Sequence, residues 1–170
     1  MEITLNRVVG AAGFDVQTYE DVEADRTATL PAIGVVLVSS IAGAIGAGAM
    51  DVRSMAGMLF VMVFSWVVWV LLTLFIGGTL LPERQTKVDF GQILRTTGFS
   101  SSIGILRVFG VVPIVGKTIF AIATIWMLLT FVIAIRQALD YNSTARALAV
   151  CALGWAIHVI LFFGFVRVMA

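Results

Sequence analysis

Five apolar runs fill most of the chain after residue 30: 31–50, 55–81, 99–115, 118–135 and 145–169. Each is broken off by a short charged stretch. About twenty apolar residues cross a ~30 Å hydrocarbon core as a helix. The runs are continuous rather than alternating, which excludes membrane strands. In lipid the backbone must satisfy its own hydrogen bonds, so helices remain. This predicts an all-α, polytopic integral membrane helical bundle with five transmembrane helices, forming one domain over residues 1–170.

Composition agrees. Hydrophobic residues make up 60% of the chain and charged residues 12%, with a mean hydropathy of +1.05. Soluble domains carry about 25% charged residues. The single cysteine, Cys151, permits no internal disulfide. No basic stripe points to nucleic acid. The first residues, MEITLNRVVGAAGFD, lack the basic start and long apolar core of a signal peptide.

The third run is the unusual one. It is short and polar, with Ser100, Ser101, Ser102, Gly104, Gly110 and a central Arg107. An arginine at a helix centre costs about 2.5–3.5 kcal/mol on insertion scales. The surrounding Ile103, Ile105, Leu106, Val108 and Phe109 offset that, so the run is expected to cross with Arg107 facing other helices. Its expected partners are nearby backbone carbonyls, the Ser100–Ser102 hydroxyls or Asp89; the competing arrangement is snorkelling to a headgroup.

With five spans, Arg7, Arg26, Arg84, Lys87, Arg95, Arg136 and Arg146 fall on the N-terminal side, against Arg53, Lys117 and Arg167 opposite. The positive-inside rule then places the N-terminus in the cytoplasm and the C-terminus across the membrane. The predicted location is a bacterial-type inner (cytoplasmic) membrane.

Two polar segments read as amphipathic helices. In LNRVVGAAGFDVQTY, Leu5, Val8, Val9, Ala12, Val16 and Tyr19 share one helical face within a cytoplasmic, acidic segment 1–30. In TKVDFGQILRTTG, Thr86 and Asp89 have capping-box spacing, with Lys87 and Arg95 expected at lipid headgroups.

The first span carries small residues at every fourth position, Ser39, Gly43, Ala47 and Ser40, Ala44, Gly48. These are expected to let helices approach closely.

Gly116-Lys117-Thr118 ends like a phosphate-binding loop. Five residues separate Gly110 from Gly116 where the motif needs four, and Pro113 removes an N–H. No nucleotide is expected; Lys117 is expected at a headgroup where the fourth span starts. His158, the only histidine, lies about 10 Å along its helix from Cys151, too far to share a metal. It is expected to hydrogen-bond a neighbouring helix. Glu20, Asp21, Glu23 and Asp25 read as a solvated face rather than a metal site. Trp66, Trp69, Trp126 and Trp155 lie inside their spans and read as packing residues. No catalytic constellation or cofactor motif is present.

Two pieces carry a resemblance: TYEDVEADRTATLPAIGVVLVSS, and the stretch from FGQILRTTGFSSSIGILRVFG through IFAIATIWMLLTFVIAIRQALDYNSTARALAVCALGW. Within the second, Leu94-Arg95-Thr96-Thr97-Gly98-Phe99, Ile125-Trp126, Ala134-Ile135-Arg136-Gln137-Ala138-Leu139 and Ala145-Arg146-Ala147-Leu148 are the specific elements. The chain resembles the Yip-domain family, membrane proteins named for interaction with Ypt/Rab GTPases, and particularly its bacterial branch. The resemblance implies five spans and no established catalytic chemistry.

The expectation is therefore a non-enzymatic membrane organiser or scaffold without cofactor. Its partners would be the lipid bilayer and another membrane protein or a second copy of the chain. The alternative is a small transporter or permeation subunit built around Arg107, since interrupted helices line polar cavities.

Overall fold

The computed structural model describes the backbone of residues 2–169 and the side chains of residues 2–160. Seven α-helices follow one another: α1 (Glu2–Ala12), α2 (Val16–Ala24), α3 (Thr29–Gly46), α4 (Val52–Phe75), α5 (Phe90–Ser100), α6 (Gly116–Ala138) and α7 (Thr144–Met169). A 3-10 turn (Arg26–Ala28) leads into α3, a π-helical turn (Ile76–Leu80) extends α4, and a 3-10 segment (Ser101–Val111) continues α5.

Among the described residues, three helical stretches are long and apolar enough to cross a membrane: Arg26–Gly46, Val52–Leu80 and Gly116–Ala138. The expected break at residues 51–54 is shorter than it reads. Asp51 caps α4 by accepting from the amides of Arg53 and Ser54, each at 3.0 Å, so Arg53 and Ser54 already lie in its first turn.

The third run begins nine residues earlier than expected, at Phe90 rather than Phe99. The capping box over Thr86 does not form. The Asp89 carboxylate instead caps α5 through the amide of Gln92 at 2.9 Å, while the Thr86 hydroxyl accepts from the amide of Glu83. α5 is a buried spine rather than a surface helix, with Ile93, Arg95, Thr96, Thr97, Phe99 and Ser100 all inside. Its hydroxyls can be buried because they bond backwards along the chain: Thr97 to the Ile93 carbonyl (2.6 Å), Ser100 to that of Thr97 (2.8 Å). From α6, the Thr130 hydroxyl donates to the Ser100 carbonyl at 2.9 Å, where α-helix gives way to 3-10.

The 3-10 segment is 11 residues long, whereas such runs rarely exceed about four. With three residues per turn, Gly104, Arg107 and Gly110 fall in one row. That row lies against Ser39, Gly43 and Gly46 of α3. An added Cβ at Gly46 would sit 1.7 Å from the Arg107 carbonyl oxygen, and one at Gly110 would sit 2.4 Å from that of Gly46. The two backbones touch because neither position has a side chain. Gly116, from the sequence resembling a phosphate loop, continues this contact: its added Cβ would lie 2.3 Å from the Gly110 carbonyl oxygen.

The N-terminal amphipathic region is two helices rather than one. Phe14 takes φ 64°, and Asp15 caps α2 by accepting from the Thr18 hydroxyl at 2.6 Å and the Gln17 amide at 3.3 Å. Gly10 lets the pair close, since a Cβ there would meet the Thr18 hydroxyl at 2.2 Å. The hairpin packs on α5 and α6. At its tip Phe14 stacks on Trp126 with centroids 5.9 Å apart, and the Trp126 indole donates to the Ala12 carbonyl at 3.0 Å. Trp126 lies twelve residues, about 18 Å, from the C-terminal end of α6. The hairpin tip is therefore seated against the middle of an apolar helix.

Candidate functional site

Two polar places stand out. The first surrounds Arg107. Its Nε donates to the Gly104 carbonyl at 3.2 Å, and one terminal nitrogen donates to the Ser39 carbonyl (3.1 Å) and hydroxyl (3.2 Å). Phe120 lies beneath the guanidinium, 5.8 Å from its centroid. Gly43 and Gly104 make the space: a Cβ on Gly43 would sit 3.0 Å from the guanidinium carbon, and one on Gly104 would strike the Ser39 hydroxyl at 2.1 Å. Of the expected partners, a neighbouring carbonyl is used; Asp89 and the Ser100–Ser102 hydroxyls are not. Arg107 points into the bundle and does not snorkel. It borders a cavity of about 250 Å³ between α3, α4, α6 and the 3-10 segment.

The second place is at the N-terminal face. An open polar basin of about 1000 Å³ is lined by Glu20 and Glu23 of α2, Arg84 and Lys87 of the 82–89 connection, and Arg136 and Asp140 at the end of α6. Its walls are tied together. Glu83 accepts from the amides of Asn142 (3.0 Å) and Ser143 (3.3 Å) at the start of α7, where the helix dipole favours a carboxylate. These amide bonds and the nearby Arg146 hold Glu83 below the usual carboxyl range. The Tyr141 hydroxyl reaches the carbonyls of Gly77 (2.9 Å) and Leu81 (2.7 Å), closing the open end of the π turn. Gln137 donates to Glu20 at 3.1 Å.

Arg95 is not at a headgroup. It is 5% exposed, and donates to the carbonyls of Val22 (3.0 Å) and Glu23 at the C-terminus of α2. There a cation meets the negative end of the helix dipole. Glu23, beside it, is pushed up to about 7, first by burial, then by Asp140; Arg95 opposes the rise and Glu20 adds to it.

The acidic run divides into separate tasks. Asp25 accepts from the Thr27 hydroxyl at 2.6 Å and pairs with Arg7 at 2.8 Å, and these bonds lower it to about 2. Asp21 accepts from Gln17. Lys117 is exposed in the first turn of α6, away from both places. His158 stacks on Trp69 at 6.4 Å between centroids rather than hydrogen-bonding a neighbouring helix; its Nδ1 has no partner among the described residues. Trp155 faces outward at 58% exposure, so it is not the packing residue expected.

The two small-residue rows divide along α3. Ser39, Ser40, Gly43 and Ala44 are buried, whereas Ala47 and Gly48 lie past the end of α3 and are exposed. Gly48 takes φ 92° to turn the chain. Sequence reasoning missed Gly46 and its row of opposing residues. The signal was the three-residue spacing 104–107–110, which lines up as a straight row in a 3-10 helix.

These features define an all-helical membrane protein with a buried polar spine. The profile of the Yip1 domain matches residues 16–166, and the chain belongs to the Yip1 domain family. Comparison with curated proteins and with solved structures gives no match. The family match runs from the start of α2 into the last turn of α7 and leaves out α1.

Proposed function

We propose that this protein is a non-enzymatic, five-span scaffold of the inner membrane that holds a partner membrane protein at its cytoplasmic face. The observation that carries this reading is the polar basin. Both signs of charge are presented there by α2, the 82–89 connection and the end of α6, which are cross-tied by Glu83, Gln137 and Tyr141. A surface on rigid elements with charges of both signs fits a partner segment of complementary charge.

The five-span count draws on segment lengths. The 11 residues of α5 and the 11 of the 3-10 segment together extend about 38 Å, enough to cross. α7, at 26 residues, extends about 39 Å.

The transporter reading is not favoured: the contacts Arg107 makes with Ser39 and Gly104 clamp two helical segments together and by themselves imply no permeation path.

A photo-crosslinking residue at Gln92, which borders the basin, tests the proposal in cell membranes. It should give discrete protein adducts that disappear in Arg84→Glu/Lys87→Glu. The same residue at Phe60, on the exposed side of α4, should give only lipid adducts. Equal adduct patterns at Gln92 and Phe60, or none at Gln92, would overturn the scaffold reading.

A further inference from the structure

The charge on Arg107 is held but not neutralised. Its partners are two carbonyls, one hydroxyl and an aromatic face, all formally neutral. The ion pairs among the described residues, Arg7–Asp25 and Arg146–Glu83, join other segments. A guanidinium stays charged at any ordinary pH. In a low-dielectric bundle, a cation without a counter-charge is costly. The site therefore favours an anion.

The cavity beside Arg107 shows what kind. Its wall includes Arg107, Ser39, Ser40 and Ser101, with Ser65 from α4. Ser40 is 4% exposed and lines this cavity. The remaining wall is apolar, including Met62, Trp69, Met127 and Phe131. Val61 and Leu128, also on the wall, are 46% and 47% exposed, so the cavity opens sideways between α4 and α6 towards the lipid chains.

Size narrows the choice. A volume of about 250 Å³ equals on the order of eight waters. It holds a small head and a few methylenes, with the rest of a chain leaving through the side opening. Depth narrows it further. Arg107 lies four residues from the end of the 3-10 segment, about 8 Å below that end. A carboxylate on one chain can be drawn that far in. A two-chain phosphodiester with its glycerol is too bulky for this space.

We infer that the cavity beside Arg107 binds a long-chain fatty acid, with the carboxylate on the guanidinium and the Ser40 hydroxyl, and the chain passing between α4 and α6. Arg107 then has two tasks: clamping α3, and offering its remaining terminal nitrogen to the ligand.

The test uses the full chain in phosphatidylcholine nanodiscs and a palmitic acid carrying a diazirine. Photo-adducts are expected on α4 and α6 around Met62 and Met127. They should be competed by oleate and not by octadecanol, which has the same chain length without the charge. Arg107→Gln should weaken competition by oleate about ten-fold or more, the scale of a lost hydrogen bond to a charged group. Leu128→Trp should block the opening and abolish the adducts without changing the melting temperature; it decides the matter if Arg107→Gln does not fold. Equal competition by octadecanol, or adducts that oleate cannot compete, would overturn the inference. So would undiminished labelling in Leu128→Trp. Competition by phosphatidylglycerol as strong as that by oleate would overturn the single-chain assignment.

Discussion

Arg107 donates to both the carbonyl and the hydroxyl oxygen of Ser39, 68 positions earlier in the chain. The pair fastens the 3-10 segment to α3 inside the bundle. Arg107→Leu leaves both oxygens stranded, and should cost about 1–3 kcal/mol. Arg107→Lys keeps the charge but loses the planar fork, so it should restore only part of the loss. Melting temperatures in one detergent order the three proteins as wild type, Lys, Leu. Equal temperatures would mean that the clamp contributes nothing.

Gly46→Ala should be among the most damaging single-methyl changes. Its Cβ would lie 1.7 Å from the Arg107 carbonyl oxygen, and backbone cannot swing aside as a side-chain end can. Overpacking of this kind costs about 1–3 kcal/mol or more. Gly34→Ala, in the same helix, meets nothing within 4 Å and should be neutral or stabilising by roughly 0.5–1 kcal/mol. Thermal unfolding of the two variants side by side checks the contrast.

Arg95→Ala should free the hairpin without unfolding the bundle. It removes the donor that satisfies the Val22 and Glu23 carbonyls. Amide exchange across residues 16–24 should then speed up by about ten-fold, the scale of one lost charged hydrogen bond, while α6 stays protected. Unchanged exchange in α2 would show that the hairpin is held by packing alone.

Glu23 makes stability depend on pH. Its carboxyl rises from 4.5 to about 7 on folding, so the folded protein binds this proton more tightly than the unfolded one. The contribution is fully present below about pH 4.5 and is lost as pH rises through 7. Wild type should therefore lose stability between those values, and Glu23→Gln should flatten that slope. Melting temperatures measured at intervals across the window decide it; parallel slopes for the two proteins would remove Glu23 as the cause.

Much of this architecture was legible in the sequence, because apolar run length reports directly on what a bilayer accepts. Pro31 to Gly46 and Gly116 to Ala138 follow the expected spans closely. What failed was the treatment of polarity. Thr96 and Thr97 fall in a connection that reads as polar, yet each hydroxyl bonds a carbonyl of its own turn and goes inside, as do those of Ser100 and Ser101 in the third run. Arg95 looks like a headgroup anchor until α2 supplies carbonyls from 72 and 73 positions away. Arg107 was picked out by its cost in lipid and a nearby carbonyl was among its expected partners, but Ser39, 68 positions away, was not. The Ala12–Trp126 contact joins residues 114 apart, and no local pattern announces it.

The proposed five-span topology requires the Phe90–Val111 spine to cross the membrane. Single cysteines at Gln85 and Ile114, in a Cys151→Ser background, test it directly. Both positions are exposed, before and after the spine. In sealed vesicles of one orientation, a membrane-impermeant thiol reagent should label one of them and not the other, with the pattern reversed in vesicles of opposite orientation. Labelling of both from the same side would contradict the crossing, and with it the five-span scaffold.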